Sequence, residues 1–227
     1  MILNEMLNEL SYELKRRRVV NLCVGPSYTG VLLDDQSMGI SITLTDGEVE
    51  EAGELQGKNA YDVANNFDSP MRRSISTAVM NALTPGEVRN GDPLQLFQGG
   101  KLCMFGYSPQ VKVEGFTEVV SYDFSPQPVQ GSRPFSEFRS EMCTVAVIFG
   151  SSLVLNNIEK IIKNVKADHL IMNGASSVMA MGTLKKYGFE AVGKLVPVDR
   201  NRAFRTICEG GNARQLGRFL ERVHITL

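Results

Sequence analysis

The second half of the chain predicts an α/β protein built on a mainly parallel sheet, and three observations carry that expectation. After Gly100, short apolar runs alternate with helical segments, as strands linked by crossover helices do. Most of those runs end in glycine with serine close behind, as at Gly106–Ser108, Gly150–Ser151 and Gly174–Ser176. Before Thr84 the pattern differs: a helix, a small meander and two more helices. The expected fold is therefore a small N-terminal α+β domain over residues 1–85, then a Rossmann-like open sheet with helices on both faces over residues 86–227.

Ile2, Met6, Leu7, Leu10 and Leu14 recur at helical spacing, and the basic run from Lys15 to Arg18 follows where cations complement a helix C-terminus. Residues 19–24, 29–33 and 40–45 read as three short strands divided by turn residues, an antiparallel meander. Helices are expected over 60–67 and 70–83, the second with Ser69 as N-cap and Pro70 in its first turn. The Pro- and Gly-rich stretch 84–100 reads as a linker carrying a helical turn. Strands are then expected at 101–105, 118–122, 144–149, 169–172 and 191–196, and helices at 135–142, 153–165, 178–187, 202–209 and 213–223.

With 227 residues, 43% of them hydrophobic, the chain can bury a core without disulfide or metal staples. The net charge of −1 supplies no field to recruit nucleic acid or an anionic membrane. No apolar run approaches the roughly 20 residues of a membrane span, and residues 1–10 lack a secretory pattern, so a cytoplasmic location is expected. Cys23, Cys103, Cys143 and Cys208 are far apart, three of them in apolar runs, and read as small buried hydrophobes. Only His169 and His224 are present and no CxxC or HxxxH spacing occurs, so no metal site is expected from this chain alone.

Ligands of open α/β sheets sit beyond the carboxyl ends of the strands. Glycine there admits a ligand to the backbone, while serine either caps the following helix or turns its hydroxyl outward. Gly106, Tyr107, Ser108, Gly150, Ser151, Ser152, Gly174 and Ser176 are accordingly the candidate ligand-binding residues, with Asp123 at the end of the second strand. GxGxxG is absent, as are GxSxG, the P-loop lysine motif and HExxH. Asp123 fits either a solvated strand end or the carboxylate that nucleotide and S-adenosylmethionine sites place against ribose hydroxyls. Catalytic residues are not identified, nor is a cofactor. The arginines of the last segment, Arg214 among them, read mostly as a solvated helix face.

In order and spacing, VGPSYTGVLL from Val24, Met38-Gly39-Ile40, the stretch 53–57 and Met80-Asn81-Ala82-Leu83 in the first half resemble the heavy-metal chelation family. The second half adds KLCMFGYSP from Lys101 to Pro109, FGSSLVLNN from Phe149 to Asn157, and MNGASS from Met172 to Ser177. That resemblance covers nearly the whole chain. It implies an enolase N-terminal-like domain folded over the strand ends of a Rossmann-like domain, bringing Tyr28, Thr29 and Asn81 to one cleft with the glycine loops and Asn157. Two places depart from the family's pattern. Its Gly-Pro-Ser loop is here Gly174-Ala175-Ser176, and its Asn-Gly-Thr aligns with Leu155, Asn156 and Asn157.

The resemblance implies a protein that binds or processes a small polar metal-chelating molecule, pterin-like or siderophore-like, in the interdomain cleft. Any chemistry there is expected to be condensation or hydrolysis aided by tyrosine or carboxylate. Two other classes stay open: an S-adenosylmethionine-dependent methyltransferase-like enzyme, and a non-catalytic oligomeric scaffold. The expected partner is a small molecule, with no nucleic acid or membrane, and a homodimer is the default association.

Overall fold

A computed structural model describes every residue except Pro109, Gln110 and Pro126, so the last residue of the KLCMFGYSP motif lies outside the described residues. Helix α1 (Ile2–Lys15) buries the apolar stripe read from its spacing, together with Leu3. Strands β1 (Val19–Val24), β2 (Tyr28–Leu33) and β3 (Met38–Ile42) form the antiparallel meander in the order β1-β2-β3. Helix α2 (Ala60–Ala64) is shorter than expected, ending at Asn65. In α3 (Pro70–Asn81), Ser69 is the N-cap and its hydroxyl accepts the Arg72 amide.

The second sheet has eight strands: β4 (Arg89–Asn90), β5 (Lys101–Phe105), β6 (Glu118–Asp123), β7 (Arg133–Pro134), β8 (Glu141–Phe149), β9 (Val165–Asn173), β10 (Ala191–Pro197) and β11 (Leu220–Thr226). Their order is β4-β11-β10-β9-β8-β5-β6-β7, parallel from β10 through β7 and antiparallel at β11 and β4. This is a mixed α/β fold with a mainly parallel sheet. One face buries Phe105, Ile148, Met172 and Val192 in a core that continues into the N-terminal part through Leu3, Met6 and Ile75. The other face, with Leu102, Val147 and Ile171, is covered more thinly, by Leu94 of the 3-10 turn Pro93–Leu96 and by Val111, Val113 and Phe116.

Three helical expectations are corrected. Over 135–142 only a 3-10 turn, Phe135–Glu137, forms, and β8 begins at Glu141. Phe135 and Phe138 look helical at i and i+3, but they pack against each other and against Phe124, Phe105 and Tyr122 as an aromatic cluster on the sheet. The single helix over 153–165 is two, α4 (Ser151–Val154) and α5 (Ile158–Asn164), because Asn156 adopts a φ of +56°, in the left-handed region that asparagine tolerates. After α6 (Met181–Lys186) and α7 (Arg200–Cys208), the helix over 213–223 proves to be one turn, α8 (Ala213–Leu216), a 3-10 turn and then β11. Cross-strand pairing with β10 decides that segment.

Cys103 and Cys143 are buried in the core as the sequence suggests, whereas Cys23 and Cys208 are not, and all four are paired. Cys103 is bonded to Cys143 inside the sheet core, and Cys23 of β1 to Cys208 at the end of α7, with Cα atoms 5.9 and 5.6 Å apart. Cys208 is exposed and Cys23 half-buried. The second bridge ties the meander to α7 beside Gly25, where an added Cβ would lie 2.3 Å from the Ile207 carbonyl. Among the described residues no helix is long and apolar enough to cross a membrane.

The two sheets are joined by buried polar contacts. The Asn81 side chain accepts the Ile40 amide at 2.8 Å and donates to the Ser177 carbonyl at 2.6 Å. Lys194, 2% exposed on β10, donates to the Asn81 and Leu83 carbonyls at the C-terminal end of α3, at 2.5 and 3.1 Å. These are carbonyls that a helix end leaves without partners. Glu9 of α1 accepts the Gly182 and Thr183 amides at the start of α6.

Two outcomes follow from these contacts. Denatured, unreduced protein should show no titratable thiols, and all four after reduction; four thiols before reduction would overturn both bridges. Since disulfides are rare in a reducing cytosol, the same titration bears on the expected location. Burial pulls the Lys194 pKa from 10.5 down to about 7, and the neutral amine still has hydrogens for both carbonyls. Between those values the unfolded chain holds a proton that the folded one has released. Stability should therefore rise with pH across that window, by at most about 1.4 kcal/mol per pH unit. Chemical denaturation at several pH values should find this slope in the wild type and its loss in Lys194→Met.

Candidate functional site

The carboxyl ends of β5, β8 and β9 meet the meander and the last segment of the chain around a cavity of about 310 Å³. Tyr107 and Ser108 follow β5, Phe149, Gly150 and Ser151 end β8 and open α4, and Gly174, Ala175 and Ser176 follow β9. The meander contributes Tyr28 and Ile42, and Leu195 rises from β10. Ala213, Arg214, Leu216, Gly217, Leu220 and Arg222 close the remaining side.

Backbone packing explains the glycines. A Cβ on Gly150 would lie 2.3 Å from the Ser176 carbonyl carbon and the Ser177 nitrogen, so the β8 loop passes the β9 loop only without a side chain. Gly174 and Gly106 adopt φ values of +108° and +107°. At Gly106 a Cβ would also press on Phe149, at 2.9 Å from its Cβ. Gly106 thus shapes the cavity from behind without lining it.

Of the residues singled out in the sequence, Tyr28, Tyr107, Ser108, Gly150, Ser151, Gly174 and Ser176 share the cavity wall. The Ser176 hydroxyl accepts the Ile42 amide at 2.8 Å, pinning the meander to the β9 loop. Burial raises the pKa of the Tyr28 phenol, so it is a neutral donor at ordinary pH. The other candidates lie elsewhere. Thr29 is buried and shares a hydrogen bond with Thr43, and Asn81 is the interface bridge described above. Both Asp123 carboxylate oxygens are engaged by its own loop, accepting the Ser125 and Val129 amides at 2.9 and 3.0 Å. Ser152 is buried in α4, and Asn157 belongs to the turn before α5.

The residues not foreseen are chiefly Phe149, Leu195, Leu220 and Arg222, while Arg214 reads in the sequence mostly as a solvated helix face, with an anion site as the other reading. The segment holding Arg222 reads as helix in the sequence, which hides the strand pairing that aims it. On β11, Leu220 and Arg222 share a face at a spacing of two, and Arg222 is the cross-strand partner of Leu195 on β10. Asp92 accepts from Arg222 Nη1 at 2.9 Å and from Asn173 Nδ2 at 2.9 Å, and Asn173 in turn accepts the Gly174 amide at 2.8 Å. One buried carboxylate thereby ties the arginine wall to the β9 glycine loop.

The cavity wall holds hydroxyls, backbone amides and guanidinium groups, but among the described residues no His, Cys, Asp or Glu. Elsewhere among them, no group of three or more such side chains is placed to hold a metal ion. His169 pairs with Glu190 at the surface and His224 with the Gly91 carbonyl, and neither lines the cavity.

The open α/β sheet thus carries a cavity at its strand ends, faced by an antiparallel meander, which is where sheets of this class hold small ligands when they bind them. The chain belongs to the family described as "Putative heavy-metal chelation": one family model of that description matches residues 91–226 and a second matches residues 7–84. Two crystal structures share the fold at a TM-score of 0.82. A protein of unknown function from Pyrococcus horikoshii is 15% identical, with both chains covered in full. A family member of unknown function from Desulfitobacterium hafniense is 18% identical, with 100% of this chain and 97% of that one covered. No curated protein matches the chain.

The Gly150 contact sets a test. Gly150→Ala should displace the 174–177 loop, costing about 1–3 kcal/mol by overpacking and narrowing the cavity. Urea denaturation would register the loss; an unchanged midpoint would mean that the loops part without cost.

Proposed function

We propose that the strand-end cavity binds, or acts on, a small polar organic molecule that chelates metal, of pterin-like or siderophore-like chemistry. The observation that carries this is the wall itself. The loops after β5, β8 and β9 bring serine hydroxyls and backbone to it, while Tyr28, Tyr107 and Phe149 supply flat apolar surface for a ring. A bare metal ion does not fit this donor set, because heavy metals are held by thiolate, imidazole or carboxylate and the wall has none among the described residues. The metal of the family's description would enter already held by its chelator.

The S-adenosylmethionine alternative rests on Asp123, which does not line the cavity and spends both oxygens on its own loop. The scaffold alternative asks nothing of the cavity, and predicts that no small molecule shifts the protein's stability.

Selective binding to the native state must raise its melting temperature, by an amount that grows with ligand concentration. The purified protein is expected to be stabilised by pterins or catechols, alone or as metal complexes, and not by divalent metal ions alone. Stabilisation by S-adenosylmethionine only would move the assignment to the methyltransferase class.

A further inference from the structure

Resting on that reading of the cavity, we infer that its ligand is an acid: a planar ring bearing a carboxylate or phosphate, with the oxyanion seated at the wall formed by Arg214 and Arg222. The sign of the wall is the first ground. Two guanidinium groups line it, and among its described residues there is no carboxylate. No carboxylate among the described lining residues stands beside the Arg214 guanidinium. A wall of one sign favours a ligand of the other, and guanidinium donors match the geometry of carboxylate and phosphate oxygens.

Preorganisation is the second ground. Arg222 is 23% exposed and is held by Asp92, which is 9% exposed and also accepts from Asn173 and from the Leu94 amide. Gly193, the β10 residue beside this relay, has no room for a side chain, since a Cβ would lie 2.6 Å from Pro93 and 2.7 Å from Asn173 Oδ1. The relay is thus packed as well as hydrogen-bonded. It fixes Arg222 relative to the Gly174 loop, so Asp92 is a positioning residue and Arg214 supplies the second guanidinium.

The third ground is the mixed character of the wall. Tyr28, Phe149, Leu195, Leu216 and Leu220 supply apolar surface, and both guanidinium groups come from α8 and β11. A ring bearing an acidic group satisfies both kinds of surface; a neutral ring leaves the guanidinium groups to water.

Matched pairs test this directly: pterin against pterin-6-carboxylate, catechol against 2,3-dihydroxybenzoate, and phenol against phenyl phosphate. The chain has no tryptophan, so pterin fluorescence can be followed without an indole background. At least one acid is expected to bind about tenfold or more tightly than its neutral parent, the size of a charge-assisted hydrogen bond. That preference should shrink with added salt and fall away in Arg214→Gln. Arg214 is exposed on a one-turn helix, so this variant is expected to fold. Whichever acid prevails tells carboxylate from phosphate. Neutral parents binding as well as their acids would overturn the inference and leave the proposed function standing. Failure of every acid and every parent would overturn both.

Discussion

The C-terminal end of α3 is buried between two sheets, and a helix end so placed must find partners for its last carbonyls. Here the Asn81 and Leu83 carbonyls share a single amine, Lys194 of β10, while the Asn81 amide group spans from the β3 backbone to the Ser177 carbonyl. Removing either side chain would strand buried polar groups, at a cost of roughly 1–3 kcal/mol each. The N-terminal part is therefore held at one height and one angle over the strand ends. An apolar interface alone, being non-directional, would leave that position less defined.

The cavity depends on this fixed position. With Asn81 and Lys194 setting the height of the meander, the Ile42 amide meets the Ser176 hydroxyl and Tyr28 comes to face the glycine loops. On the far side, Asp92 performs the matching task for β11, linking Arg222 to Asn173 and so to the Gly174 loop. The cavity is a gap between two hydrogen-bonded braces, which hold Ser176 on one side and Arg222 on the other.

Much of this was legible in the residues. The α1 stripe, the Ser69-Pro70 start of α3, the three-strand meander and the central parallel strands follow from local periodicity and capping, which act over a few residues. The glycine loops were legible as tight strand ends, because backbone crowding and positive φ there demand glycine. Asn81, in contrast, was read as a ligand contact, since nothing in its neighbours shows that its amide is consumed by Ile40 and Ser177, 41 and 96 residues away in sequence. Asp123 misleads for a similar reason, its oxygens being taken by its own loop.

The sequence by itself determined the class of fold, the order of most elements and the loops that meet at the cavity, because those are set by short-range patterns of burial and turn chemistry. Only the tertiary structure decided that residues 220–226 are a strand, that Cys23 faces Cys208 and Cys103 faces Cys143, and that Arg214 and Arg222 line the cavity. Each of these depends on a partner far along the chain, 185 residues away for the bridge between β1 and α7. Local propensity cannot report a partner that distant, and it was that partner that fixed which way each side chain faces.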